Sequence, residues 1–146
     1  MTKLARDVMT ADPACCTPET TLAQVAKLMA ENDCGQIPVL DKARKPVGVI
    51  TDRDIVVRVV ADGRNPGDHT AEQYMSKPVV TVRADASLDQ VVSTMEDHQV
   101  RRVPVVDERG CCAGIIAQAD VASTGDAHEV AEMLREVSRD TGQESQ

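Results

Sequence analysis

Two four-residue stretches carry the clearest chemical potential in this chain. Thr51-Asp-Arg-Asp54 sets a hydroxyl three residues ahead of a carboxylate, and Ala117-Gln-Ala-Asp120 keeps the carboxylate without the hydroxyl. A carboxylate offers two acceptor oxygens to two neighbouring O–H donors. The same spacing is a capping box, in which hydroxyl and acid satisfy free N–H groups at a helix start. For Thr51 and Asp54 both readings stand, since a cap can share its oxygens with a ligand. At Asp120 the box is broken while the acid remains, which argues for a ligand contact there. A helix starting at either place also turns N–H groups and a positive end toward phosphate.

Arg101 and Arg102 directly precede Val103-Pro104 and concentrate donors in an otherwise acidic chain. Guanidinium forks match phosphate geometry, and strand alternation aims one of the two inward. Arg53 and Arg58 read either as helpers or as solvated surface charge. The five cysteines, Cys15, Cys16, Cys34, Cys111 and Cys112, offer no C-x-x-C or Cys/His run with zinc spacing. They read as small hydrophobes in strands, with a redox or nucleophilic thiol as the alternative. His98 and His128 have no Cys, Asp or Ser partner at a readable spacing, and His69 lies in a linker. No catalytic set and no metal site emerge, so an enzyme is not expected.

Composition narrows the partners. The 146 residues are 42% hydrophobic and 27% charged, enough for a folded core, yet there is no Phe, no Trp and one Tyr. The core must be aliphatic, and aromatic platforms for single-stranded nucleic acid are absent. With 16 Lys+Arg against 24 Asp+Glu the net charge is −8, which disfavours nucleic acid, whose binding rests on phosphate neutralisation. No stretch has the ~18 apolar residues of a membrane span, and the N-terminus lacks the apolar run of a secretory signal. A soluble, cytoplasmic chain is expected.

The elements that must position these residues come as a duplication. An offset of 66 residues places Met9 on Met75, Leu22 on Leu88, Pro38 on Pro104, Gly48 on Gly114 and Asp54 on Asp120. Pro13 and Pro78 fall one residue out of step. Each copy reads as an extended segment (14–17 and 79–82), then a helix with a capping box, Thr21 with Gln24 and Ser87 with Gln90. Apolar residues at 22, 25, 26 and 29, and at 88, 91, 92 and 95, form a buried helical stripe. A strand pair follows, Ile37–Leu40 with Val47–Ile50 and Val103–Val106 with Ala113–Ile116, and then a second helix, long and Val-rich over Ile55–Ala61 in copy one. The predicted architecture is α+β: two βαββα units over 7–62 and 70–123, joined by a linker at 63–69. Packed through their sheets as a pseudo-symmetric pair, the units would share one core and leave ligand clefts between copies. An amphipathic helix and frayed tail are expected over 124–146. The copies are unequal, because Gly35 and Gln36 stand where copy two has Arg101 and Arg102.

These features resemble a tandem pair of cystathionine-β-synthase (CBS) domains, a Bateman module. The resemblance rests on Asp7-Val-Met-Thr10 and Gln73-Tyr-Met-Ser76, on Pro38 and Pro104, on Gly48-Val-Ile and Gly114-Ile-Ile, and on Asp54 and Asp120. It implies a regulatory sensor of adenosine-containing ligands (AMP, ATP, NAD-type dinucleotides or S-adenosylmethionine) with no required cofactor. It further implies a homodimer that passes the signal to an effector protein. By the same resemblance Thr51 meets phosphate or ribose, and Asp54 and Asp120 accept from ribose hydroxyls. Arg101 and Arg102 substitute for the missing hydroxyl, and an adenine lies between aliphatic side chains at Ile37-Pro38 or Val103-Pro104. Thr17, Asp52 and Thr81 complete the expected site.

Overall fold

The structure, a computed structural model, describes residues 3–123. The expected tail helix and His128 lie outside the described residues. The elements in order are α1 (Ala5–Val8), β1 (Thr10–Ala11), α2 (Leu22–Asn32), β2 (Gln36–Leu40), β3 (Pro46–Thr51), α3 (Asp52–Ile55), α4 (Ala71–Tyr74), β4 (Val82–Arg83), α5 (Leu88–His98), β5 (Arg102–Val106), β6 (Cys112–Ala117) and α6 (Gln118–Ala122). After α3 the chain continues as a π-helical turn over Val56–Val60, and a short 3-10 turn covers Pro66–Asp68.

The helices start where the side chains predict. Thr21 Oγ1 accepts from Gln24 N–H at 3.2 Å, while Gln24 Oε1 accepts from Thr21 N–H at 3.0 Å. Ser87 and Gln90 repeat the exchange at 3.2 and 2.9 Å. The stripes Leu22, Val25, Met29 and Leu88, Val91, Val92, Met95 are buried, as amphipathic spacing requires. Ala26 is only partly buried. In copy one the Val-rich segment does not bury a continuous face: Val59 is buried, but Val56, Val57 and Val60 are exposed.

The chain forms two compact units whose boundaries differ from those of the repeats. One is Pro13–Val79; among the described residues the other joins residues 3–12 to residues 80–123. In the second of these, a four-stranded sheet runs β1-β6-β5-β4, with β4 parallel to β5 and the other pairs antiparallel. In Pro13–Val79 the β2-β3 hairpin is flanked by single bridges at the same places, Cys16 beside Val39 and Ser76 beside Val49. The first strand of copy one thus contracts to one bridge. Each hairpin also slips register at the matching step, Val39/Leu40 and Val105/Val106. The buried apolar residues fall into two clusters, one per unit. Each unit carries its own core.

The segment preceding each repeat packs on the other repeat's sheet. Met75 lies over Gly48, where an added Cβ would stand 2.6 Å from its Sδ, and Met9 lies over Gly114, where the distance would be 2.5 Å. Backbone bonds fix both placements. Ser76 and Val49 exchange N–H···O bonds of 2.9 and 3.2 Å, and Ala5 N–H donates to Ala86 O at 2.8 Å.

Candidate functional site

The junction between the hairpin and the short helix gathers most of the expected residues, once in each unit. In Pro13–Val79, Thr51 ends β3 opposite Gln36, and Asp52 N–H donates to Gly35 O at 2.9 Å. This holds the loop before β2 against the start of α3. Thr51 N–H donates to Asp54 Oδ2 at 3.0 Å, and Asp54 N–H to Thr51 Oγ1 at 3.1 Å, so the capping box is complete. The Asp52 carboxylate accepts from Arg53 N–H at 2.8 Å and stands over Gly35, where a Cβ would come within 2.9 Å of its Oδ2.

The other unit repeats the frame. Arg102 lies opposite Ala117, and Gln118 N–H donates to Arg101 O at 2.8 Å. Ala117 N–H donates to Asp120 Oδ2 at 2.7 Å. This revises the reading of Asp120: the acid half of the box survives loss of the hydroxyl, so capping alone accounts for an acid at that position. Arg101 and Arg102 are both exposed at the mouth of this junction.

Strand alternation separates the remaining candidates. Ile37 and Val103 are 0% exposed and belong to the cores of their units, so they cannot grip a base. Pro38 and Pro104 lie on the opposite face, the one shared with Thr51 and Ala117, because neighbours along a strand alternate, but they too are buried. Thr17 and Thr81 do not occupy matching positions. Cys16 pairs with Val39 as Val82 pairs with Val105, which sets Thr17 on Arg83 and Thr81 on Cys15. Thr17 closes a turn on Thr20, their hydroxyls 3.0 Å apart, while Thr81 lines a surface groove of about 270 Å³ with Gln90 and Thr94.

Arg58 serves the fold. Its Nη1 donates to Tyr74 O at 2.7 Å, its guanidinium covers the Tyr74 ring at 5.2 Å, and it stands 3.9 Å from Asp54. Arg64 bonds the Tyr74 hydroxyl and His69 meets the ring edge-on, so the single aromatic side chain is enclosed by polar residues. Sequence reasoning missed this cluster, since nothing in the spacing links residues 58 and 64 to 74. None of the five cysteines is in a disulfide. Burial pushes the Cys16 thiol up to about 12. Cys112 is likewise buried, in β6.

The duplicated hairpin-and-helix frame has a counterpart among known families: the CBS domain model matches residues 5–61 and 71–126. The chain belongs to the CBS-domain family. Hypoxic response protein 1 of Mycobacterium tuberculosis is 35% identical over 133 residues, covering 91% of this chain and 92% of that one. A crystal structure of a Hypoxic Response Protein I, described with two coordinated zinc ions, matches 85% of this chain and all of that one, with TM-score 0.78 and 37% identity. Among the described residues here, no group of three or more His, Cys, Asp or Glu could hold a metal ion. An uncharacterised Methanopyrus kandleri protein, MK0525, is 36% identical over 116 residues, and the match covers 80% of this chain but 57% of that relative's length. The CBS domain pair of MJ0100, solved with 5′-methylthioadenosine and S-adenosyl-L-methionine, matches at TM-score 0.75 and 26% identity over 84% of this chain and 95% of that one. CBS domain pairs are generally regulatory rather than catalytic, and no helix among the described residues is long and apolar enough to cross a membrane.

Proposed function

We propose that this CBS pair is a non-catalytic sensor of an adenosine-containing ligand, AMP, ATP or an NAD-type dinucleotide, bound at the hairpin-to-helix junctions. The observation that carries the reading is the carboxylate at each junction, Asp54 and Asp120, held by a backbone N–H beside a strand end. Each carboxylate accepts the cap's N–H, and Asp54 Oδ1 also stands 3.9 Å from Arg58, yet two oxygens with about four lone-pair sites can accept further donors such as ribose hydroxyls. Thr51 meets phosphate or ribose in the first junction, and Arg101 with Arg102 meet phosphate in the second. Pro38 and Pro104 supply the aliphatic side of the base site, with Asp52, Thr17 and Thr81 at its margins. The adenosine ligands of the MJ0100 pair support the ligand class. As a cytoplasmic homodimer the protein would pass ligand-induced change to an effector protein.

Calorimetry with AMP, ATP, NADH, adenosine and S-adenosylmethionine tests the reading. Binding by at least one, weakened in Asp120→Asn, is the expected result. Asn keeps an acceptor for the cap but lowers acceptor strength toward ribose. A lack of response to all five, up to millimolar ligand, rejects the reading. That outcome favours a protein-interaction module without a ligand, to which the missing hydroxyl at Ala117 already points.

A further inference from the structure

The two junctions share a backbone and differ in charge. Residues Asp33 and Gln99 end their helices in the same left-handed conformation, with φ of 50° and 54°. The bond from Asp52 N–H to Gly35 O matches that from Gln118 N–H to Arg101 O, at 2.9 and 2.8 Å. On this common frame Asp33 gives way to Gln99, Gly35 to Arg101, Gln36 to Arg102 and Asp52 to Gln118. The first junction holds three carboxylates, with Asp54, against Arg53 and against Arg58, which stands 3.9 Å from Asp54 and is already engaged with Tyr74. The second holds two guanidinium groups against the single carboxylate of Asp120.

Gly35 sharpens the contrast. The Asp52 carboxylate fills the space beside it, so the first junction presents negative charge where the second presents Arg101. The second junction also keeps unspent hydrogen-bonding capacity. Gln99 Oε1 and Gln118 Nε2 are buried without a partner, one acceptor and one donor flanking the Arg101 loop. Buried polar groups of this kind ordinarily find partners. The net charge of −8 does not erase the local difference, because screening at physiological salt acts within ~8 Å.

We infer that the junctions select ligands of opposite charge. The second takes a phosphate-bearing adenosine ligand, and the first takes an uncharged or cationic one and rejects phosphate, which leaves Thr51 the ribose of its two roles. The inference rests on the functional reading above and adds to it a stoichiometry and a selectivity.

Calorimetry on the full chain with AMP and with adenosine, at low and high salt, tests it. One AMP is expected per chain, with affinity falling as salt rises. Arg101→Gln/Arg102→Gln should weaken AMP about tenfold or more, the scale of lost charged hydrogen bonds, and leave adenosine binding unchanged. Asp33→Asn/Asp52→Asn should keep that AMP site and open a second. Thermal melts identify any variant that has lost its fold, and Arg101→Lys/Arg102→Lys, which keeps the charge, should retain most AMP affinity. Two equal AMP sites in the unaltered chain overturn the inference, as does AMP affinity indifferent to both Arg variants. Adenosine binding without AMP binding removes the charge assignment alone. If neither binds, the inference falls, and the functional reading falls with it only when ATP, NADH and S-adenosylmethionine are silent as well.

Discussion

At the scale of single residues, Gly48 and Gly114 show how a sequence motif acquires a physical cause only in three dimensions. Their place in the repeat is legible from the sequence, and close backbone approach is the natural expectation. The approaching group is a methionine from a segment 27 residues later for Gly48 (Met75) and 105 residues earlier for Gly114 (Met9), distances that local spacing cannot reveal. The two sites differ in what would have to move. The three atoms nearest a Cβ at Gly48 all belong to the Met75 side chain, whereas at Gly114 Thr10 O, which is backbone, stands 2.8 Å away. Gly114→Ala should therefore cost more than Gly48→Ala in urea denaturation, about 1–3 kcal/mol for the former as an overpacking change. Combining Met75→Ala with Gly48→Ala should recover most of the Gly48 loss, while Met9→Ala should rescue Gly114→Ala only in part. Equal costs, or full rescue at both sites, would contradict this geometry. Cys16 gives a second residue-scale expectation. Its thiol is pushed up to about 12 from 9.0 by burial, so its ionisation opposes the folded state as pH rises from 9 toward 12 and leaves stability untouched below. The thiolate is the reactive form, and three pH units imply a fraction about a thousandfold lower than in the unfolded chain at pH 8.5. Mass spectrometry after iodoacetamide treatment should find Cys16 protected in the native protein and modified in urea.

At the scale of elements, the helices were largely written in the sequence because their start signals are local. Thr21 with Gln24, Ser87 with Gln90 and Thr51 with Asp54 all close as spaced. The junctions that join hairpin to helix were legible for the same reason, as was the inequality between Arg101-Arg102 and Gly35-Gln36. Two features were not legible. One is the half-box at α6, where Asp120 holds Ala117 N–H without help from a hydroxyl. The other is the first strand, which sequence drew equally in both copies but which forms a two-residue strand in one and a single bridge in the other. Strand length depends on partners across the sheet, and these are set by non-local packing. The half-box has a measurable consequence. Asp120→Ala frees the Ala117 N–H and should destabilise the unit containing α6 by about 1 kcal/mol, the usual worth of a cap. Asp120→Asn should lose less, because an amide oxygen still accepts. Hydrogen exchange at Ala117 should rise in the Ala variant; unchanged protection there would show that the acid is not the partner of that N–H.

At the scale of the whole molecule, the repeats in sequence and the units in space do not coincide, and the mismatch decides which fragment can fold. Repeat boundaries at 7–62 and 70–123 follow the similarity between copies. The unit Pro13–Val79 instead takes in the segment that opens copy two. That segment is not ornamental to the first core. Ala71 is 0% exposed within it, Tyr74 is buried against it, and Met75 covers Gly48. Leu22 N–H donates to His69 O at 2.9 Å, Ala71 N–H to Thr20 O at 2.8 Å and Glu72 N–H to Pro18 O at 3.0 Å, so the start of α2 is tied to α4 by backbone bonds. A fragment ending at residue 62 loses these bonds and exposes the apolar surface they cover, in a unit of a size where burial is already marginal. By contrast, residues up to Asp12 contribute to the other unit and should be dispensable here. A fragment spanning 13–79 is therefore expected to unfold cooperatively in urea, monitored by circular dichroism. A fragment spanning 7–62, nearly as long and faithful to the repeat, should show no cooperative transition. Removing residues 1–12 from the full chain should act in the reverse sense, lowering hydrogen-exchange protection in α5, β5 and β6 while sparing α2, β2 and β3. If 7–62 folds as well as 13–79, the exchanged segments are accessories to the repeats rather than parts of their cores.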